Sequence, residues 1–451
     1  MAERAALPRL SRDQIEERNA LLTWVHAGPD VPGPQDLYHL VVVPVANESS
    51  EIIEQTLDAL LATRYPDERL LVCLSFEARS REWDDARIAA IISGYADRFG
   101  MLLTTRHPDG RPGEGRVKGA NITWGATVAR TELQVRGIDD HHVVVSAFDC
   151  DTRPAAHYFQ VLSYTFLTNP NRDVDSYQPI LLFHNNVWDV PAPSRLVGYI
   201  ASMWTMVDST RPGRLRIFSS HAMGMRALVR VGFWATNVIP DDSRQYWRMY
   251  FATDGRATTR PLHTPVYLDA VHAASYLDSL AEQYRQIRRW SYGVIDFPYI
   301  MGQNLANGRI PWGPKLVQTY RQLAVFHQWA ITPLLLILAR WLVSRLEPVL
   351  QTSRLTSIDV IGRVYALTPL ITVVSMLVGV GVALALLPKR PVGRTQAAYL
   401  KLACEWLLLP IVVPLFFCLP AIDAQLRLAA RRYLGFRVTV KNRSTQAHQV
   451  R

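Results

Sequence analysis

The stretch Tyr38–Val45, YHLVVVPV, decides the fold of this chain. Its apolar and β-branched residues run without alternation and end around Pro44. That is the pattern of a short strand buried on both faces of a parallel sheet. Working outward, Glu51–Ala62 places Ile52, Ile53, Leu57, Leu60 and Leu61 at helical spacing, and Leu70–Phe76 (LLVCLSF) is a second strand. Helices are expected over Ala86–Phe99 and Val117–Ala129, and His142–Phe148 (HVVVSAF) is a further strand. Strands alternating with helices at this rhythm predict a doubly wound α/β domain. Ligands of such sheets sit beyond the carboxyl ends of the strands, so acids just after a strand are the first functional candidates.

Composition narrows the class. The chain has 451 residues, 49% of them hydrophobic and only 20% charged. This excludes a disordered chain and a disulfide-stapled secreted domain. The net charge of +10 is uneven: from residue 301 onward 18 basic residues face four acidic ones, while the first 300 residues are net acidic. Basic residues gathered in the most apolar third point to a membrane anchor with cytoplasmic flanks. Nucleic-acid binding is disfavoured, because few aromatics interleave with the basic tail. Cys73, Cys150, Cys404 and Cys418 show no metal spacing and suit free thiols. The apolar patch 20–27 is too short for a secretory signal, so none is expected at the start.

Three apolar segments follow residue 320: Gln322–Ala339, Val364–Pro388 and Trp406–Ile422. The second is long enough to span a bilayer; the third is near the lower limit and contains Pro410, Pro414 and Pro420. The first is interrupted by His327 and stopped by Arg340, and is read as interfacial, with an extra span as the alternative. The expected organisation is an extension and linker over 1–37, a catalytic domain over 38–300, interfacial helices over 301–345, a transmembrane region over 346–422, and an amphipathic helix with a tail over 423–451.

The strand ends carry the chemistry. Val43-Pro44-Val45-Ala46-Asn47-Glu48 closes the first strand and Glu77 follows the second. Lys118-Gly119-Ala120-Asn121 lies in the third helix region, and Asp149-Cys150-Asp151 closes the strand from His142. Asp241-Asp242 precedes a helix expected over Ser243–Tyr250, and Gln286-Ile287-Arg288-Arg289-Trp290 falls in another. Two carboxylates one residue apart after a strand can share a hard cation bridged to a diphosphate. A separate carboxylate such as Asp242 can take a proton from a hydroxyl. Arg289 can hold a diphosphate by two parallel hydrogen bonds, and the face of Trp290 suits the apolar face of a sugar.

This set of residues resembles the family-2 glycosyltransferases on a GT-A fold, especially the membrane-bound branch with the cellulose and hyaluronan synthases. The pieces are PVANE, KGAN, the DxD as FDCD, PDDS in the place of the family's TED, and QIRRW as QxxRW, in the family's order over about residues 38–300. Each piece alone is commonplace as a cap or a core helix. The resemblance implies a Rossmann-like nucleotide-sugar domain followed by interfacial and transmembrane helices, and inverting transfer from a nucleotide-sugar with Mg²⁺ or Mn²⁺. Asp149 and Asp151 would bind the metal, with Asp242 as base and Asp241 beside it. Pro44, Asn47, Glu48, Glu77, Lys118, Asp149, Gln286 and Arg289 would contact the donor. Trp290 would stack on the acceptor, and His221, in a segment resembling the family's acceptor-side stretch, would be a second acceptor contact. In the tail, Phe436, Val438, Thr439 and Lys441 match FxVTxK, a cytosolic gating loop in cellulose synthases. Glu77 replaces the family's usual Asp, and Asp241 shortens its usual Glu.

The expected enzyme is a multi-pass protein of the inner or plasma membrane with a cytosolic catalytic domain, a UDP-sugar donor and a lipid or glycan acceptor. A processive polysaccharide synthase, acting as a homo-oligomer, is the rival within the class. An inactive membrane scaffold subunit and a metal-dependent phosphohydrolase are the rivals outside it. Asp151, Asp242 and Trp290 are all present, which disfavours the first, and a phosphohydrolase has no need of QxxRW.

Overall fold

A computed structural model describes residues 31–351, 356–389, 391 and 395–435. The chain divides into two compact units, one built from the segment ending at Leu181 with Thr205–Tyr267 and Asn307–Ile310, the other from Leu182–Trp204, Leu268–Ala306 and the chain from Pro311.

The first unit is a mixed α/β layer structure. Its strands are β1 (Tyr38–Val45), β2 (Leu70–Glu77), β3 (Met101–His107), β4 (Val143–Ala147), β5 (Arg153–Pro154), β6 (Ser176–Leu182), β7 (His221–Gly224) and β8 (Thr259–Tyr267). They form one sheet in the order β3-β2-β1-β4-β7-β6-β8-β5. β1 pairs in parallel with β2 and β4, and β2 in parallel with β3. The Rossmann-like half therefore has the three strands that the sequence pattern implies, together with β3, whose partly buried MLLTTRH gives no unbroken apolar run. A parallel doubly wound sheet throughout is not what forms: β7 runs antiparallel to both β4 and β6, and β5 antiparallel to β8. β7 has only four residues, HAMG, too few to carry a periodic signal. Its pairing of His221 with Ala147 is a product of tertiary register.

The helices of this unit include α1 (Ser50–Leu61), α2 (Asp85–Tyr95), α3 (Lys118–Val135) and α4 (Tyr158–Leu167). α3 packs Ile122, Ala126, Ala129 and Leu133 onto Leu40, Val42, Cys73 and Val145 of the sheet. Full burial of each large aliphatic contributes about 1.5–3 kcal/mol. The small face of α3 lets it lie close: a Cβ on Gly125 would come 2.8 Å from Cβ of Ser75. α5 (Ala192–Ser209) runs from one unit's segments into the other's, and α6 (Met225–Arg230) and α7 (Asp241–Ala252) complete the first unit. α7 begins at Asp241, so the acid pair forms its first turn instead of preceding it. Acids there are favoured by the positive end of the helix dipole.

The second unit is helical: α8 (Tyr276–Ser291), α9 (Asp296–Ala306), α10 (Trp312–Gln351), α11 (Thr356–Ala385) and α12 (Ala397–Ala429). Its core joins Leu196, Tyr199 and Ile287 to Trp406, Phe416 and Phe417 of α12. A buried ion pair, Arg195 to Glu405, fastens α5 to α12, and Arg195 also donates to the carbonyl of Val187 at 2.7 Å.

α12 spans 33 residues, with a mean hydropathy of 2.2 in its most apolar window, and contains the segment expected at Trp406–Ile422. Among the described residues it is the one helix long and apolar enough to cross a membrane. Its prolines are absorbed by a 3₁₀ turn at Trp406–Leu408 and a π turn at Pro414–Cys418, since each proline removes a helix hydrogen bond. The segment expected at Val364–Pro388 falls largely in α11, whose described apolar part, Leu370–Ala385, is shorter than a span. Gln322–Ala339 lies inside the 40-residue α10.

Candidate active site

Four segments of the first unit meet at the end of β4. Asp149 follows that strand, Lys118 opens α3, and Asp241 and Asp242 open α7. The fourth is the turn Phe218-Ser219-Ser220 leading into β7. Lys118 Nζ donates to Asp149 Oδ1 at 2.5 Å. Ser219 Oγ donates to Asp149 Oδ2, while the backbone N–H of Ser219 donates to Asp242 Oδ2 at 2.6 Å. The other oxygen of Asp242 accepts from Ser243 N at 2.7 Å. Ser220 Oγ bonds Thr152 Oγ1 at 2.7 Å and accepts from Asp149 N at 3.3 Å, fixing the DCD turn. Thr56 of α1 donates to the carbonyl of Cys150 at 2.7 Å. Asp151 is buried and Asp149 half-buried.

The charges interact strongly. Burial disfavours the charged form of Lys118, but Asp149, Asp241 and Asp242 overcome this and raise its pKa above the usual lysine range. Asp241 is pushed up to about 7, first by burial and then by Asp242 and Asp149, with Lys118 opposing. Its Oδ2 is buried without a hydrogen-bond partner, as a carboxyl that retains a proton tolerates better than a carboxylate does. Gly119 makes the close approach possible. A Cβ there would lie 2.2 Å from the carbonyl oxygen of Ala235 and 2.9 Å from Cβ of Asp241.

His221 occupies the floor of this cluster. Its Nδ1 bonds the carbonyl of Ser219 at 2.8 Å, and its Nε2 receives Trp234 Nε1–H at 3.0 Å. That pair of bonds requires the neutral Nδ1–H tautomer, and burial pushes the imidazole down to about 4. With both nitrogens engaged and the ring buried, His221 supports the Ser219 turn.

A second group lies at the ends of β2 and β3. Glu77 is buried and accepts from His107 Nδ1 at 3.4 Å, with Arg79 Nε at 3.3 Å. His107 Nε2 meets Glu114 at 2.8 Å. The Glu77 hydrogen bond raises the His107 pKa, burial opposes it, and Glu114 adds to the rise. Near the end of β1, Glu48 accepts from Ala46 N at 2.7 Å and Asn47 accepts from Ser80 Oγ at 3.2 Å. Pro44 is within β1. Asn121 of KGAN braces α3 against β2 through Ser75, at 2.7 and 2.8 Å.

Gln286, Arg289 and Trp290 lie on α8 in the second unit. Gln286 is buried and accepts from Gln283 at 3.1 Å. Trp290 is half-buried, its ring 5.8 Å from that of Phe183. Also in this unit, a cavity of 420 Å³ is lined by Asp189, Arg195, His272, Ser275, Lys401 and Glu405 among others. Phe436, Val438, Thr439 and Lys441 lie outside the described residues.

The sequence reading missed Ser219, Ser220, His107 and Glu114. Ser219-Ser220 sits immediately before His221, and that adjacency was the available signal. His107 and Glu114 join Glu77 only because β3 pairs with β2, at the register Glu77 to His107.

No protein-family model matches this sequence, and no curated protein matches it. Solved structures do resemble the chain. The mannosyltransferase PcManGT from Pyrobaculum calidifontis, in complex with GDP-Man and Mn²⁺, aligns over 93% of this chain and 97% of its own, at 17% identity and a TM-score of 0.47. TarS of S. aureus, residues 1–349 with UDP-GlcNAc, aligns over 58% of this chain and 67% of its own, at 12% identity and a TM-score of 0.35. GalNAc-T7 with UDP, GalNAc and Mn²⁺ aligns over 56% and 51%, at 10% identity and a TM-score of 0.33.

Proposed function

We propose that this chain is a metal-dependent, inverting glycosyltransferase of family 2. It moves a sugar from a nucleotide-sugar, with uridine as the first nucleotide class, to a lipid or glycan acceptor at a membrane. The observation that carries the reading is the gathering of Lys118, Asp149 and Asp242 around Ser219, each from a motif the family places in this order. In the reaction a hydroxyl oxygen of the acceptor attacks the anomeric carbon as the bond to the diphosphate breaks. Asp242 accepts the hydroxyl proton, and one direct displacement inverts the configuration.

Asp149 and Asp151 supply hard carboxylate oxygens, which suit Mg²⁺ or Mn²⁺. Among the described residues no group of three or more His, Cys, Asp or Glu forms a closed cage, so diphosphate oxygens would complete the coordination. When bound, the ion neutralises charge on the leaving diphosphate. Lys118 balances the acids before donor binding. Glu77, braced by His107 and Arg79, is the carboxylate that contacts the nucleobase of the donor. By motif alone, Gln286 and Arg289 contact the diphosphate and Trp290 is the acceptor platform. Exposed Leu407, Ile411, Leu415 and Leu419 on α12 support a membrane setting. A multi-pass chain with a cytosolic catalytic domain is the arrangement we assign.

The test is nucleotide release from UDP-glucose, UDP-GlcNAc, UDP-galactose and GDP-mannose, with membrane lipid, in Mn²⁺ and in EDTA. Mass spectrometry of the product then separates a single-sugar lipid from a polymer, the second reading that QIRRW favours. Release no faster than with Asp242→Asn, for every donor, would overturn the assignment.

A further inference from the structure

Ser219 has φ +35, in the left-handed region. Such a conformation is disfavoured for an L-residue other than glycine, because Cβ crowds the carbonyl oxygen, and in native proteins it persists where surrounding contacts hold it. Here the contacts are identifiable. The side chain of Ser219 reaches Asp149, its N–H reaches Asp242, and its carbonyl receives the neutral His221, itself held by Trp234. Three of the bonding groups of one residue are thus committed to the floor and to both acids. A glycine would satisfy the backbone there without strain but would lack the hydroxyl.

Resting on the glycosyltransferase reading, we propose that Ser219 is a positioning residue that couples the donor-side acid to the catalytic base. Its hydroxyl orients Asp149 toward the donor, and its N–H holds Asp242 so that one oxygen stays fixed on the turn. The left-handed backbone points both donors at their acids at once. An ordinary extended or helical residue would direct the N–H elsewhere. Lys118, Asp241 and His221 are the other titratable groups around this turn, and the coupling runs through hydrogen bonds without a change in their charge.

Two variants separate the arms. Ser219→Ala keeps the backbone and removes the hydroxyl. It is expected to weaken UDP binding in Mn²⁺, and to raise the KM for the most active donor of the panel, by about tenfold, with kcat within about twofold. Ser219→Thr keeps a hydroxyl but places a β-branched residue at positive φ, which resists that conformation. It is expected to lower kcat about tenfold while KM changes less than about threefold. Calorimetry with UDP and Mn²⁺, steady-state kinetics and circular dichroism of the full chain read these effects. A purely structural Ser219 would move KM and kcat together in both variants, and that result would overturn the proposal. Wild-type kinetics in both variants, beside an inactive Asp242→Asn, would overturn the coupling while leaving the enzyme reading intact. Full activity of Asp242→Asn would overturn both.

Discussion

Lys118 Nζ stands 2.5 Å from Asp149 Oδ1, so the first residue of α3 and the acid after β4 form one ion pair at the centre of the site. The pair is largely withdrawn from water, with 12% and 31% of the two side chains exposed. Breaking a buried pair from one side leaves an uncompensated charge. Lys118→Met is therefore expected to destabilise the first unit by about 3 kcal/mol. Equilibrium urea unfolding would check this, and an unchanged midpoint would show that the acids do not need their counter-charge.

Asp242→Asn should leave UDP affinity close to wild type and lower turnover by about 10²-fold or more, the scale of lost general-base catalysis. Asp151→Ala should act in the opposite way, weakening nucleotide binding only when Mg²⁺ or Mn²⁺ is present. Equal UDP affinity of wild type and Asp151→Ala in Mn²⁺ and in EDTA would remove Asp151 from the metal site.

Gly119→Ala tests the close approach of α3 to Asp241. In an unobstructed helix the change stabilises by about 1 kcal/mol. Here the new Cβ would meet the carbonyl oxygen of Ala235 at 2.2 Å, so a loss of about 1–3 kcal/mol is expected. The sign of the change in denaturation midpoint decides between the two.

The pH dependence has a sign set by Asp241. Its carboxyl, at about 7 in the folded chain against a usual 3.8, holds a proton that the unfolded chain has already lost. Between those values the folded state binds more protons, so this residue's contribution to stability falls as pH rises from about 4 to 7 and then levels. Asp241→Asn lacks that decline. Its stability relative to wild type should improve across this window, with His221, common to both proteins, cancelling from the comparison. Denaturation of both at pH 5 and pH 8 measures it, and a constant difference would mean that Asp241 is already ionised at pH 5.

In the second unit, Glu405→Gln leaves the buried Arg195 guanidinium without its partner, for a loss of about 3–5 kcal/mol. The double variant Arg195→Met, Glu405→Leu should recover most of it. Thermal unfolding in detergent, followed by tryptophan fluorescence at Trp406 and its neighbours, would register both.

Local pattern alone determined three of the four parallel strands, because YHLVVVPV, LLVCLSF and HVVVSAF are buried on both faces and read as unbroken apolar runs; β3, MLLTTRH, is only partly buried and gives no such run. It also determined the positions of KGAN, FDCD and the acid pair, since strand ends and helix starts are set by neighbouring residues. Tertiary structure decided the antiparallel half, where β7 is too short to announce itself and exists through its register with β4. It decided that Asp241 is buried and unpartnered at Oδ2 while Asp242, the next residue, is held by Ser219 and Ser243. Adjacent side chains on one helix turn point in different directions, and only the packing of α7 against Gly119 says which faces the interior. Ser219 is the plainest case. Its left-handed backbone and its reach to two acids from separate segments are long-range facts, fixed by where β4 and α7 end.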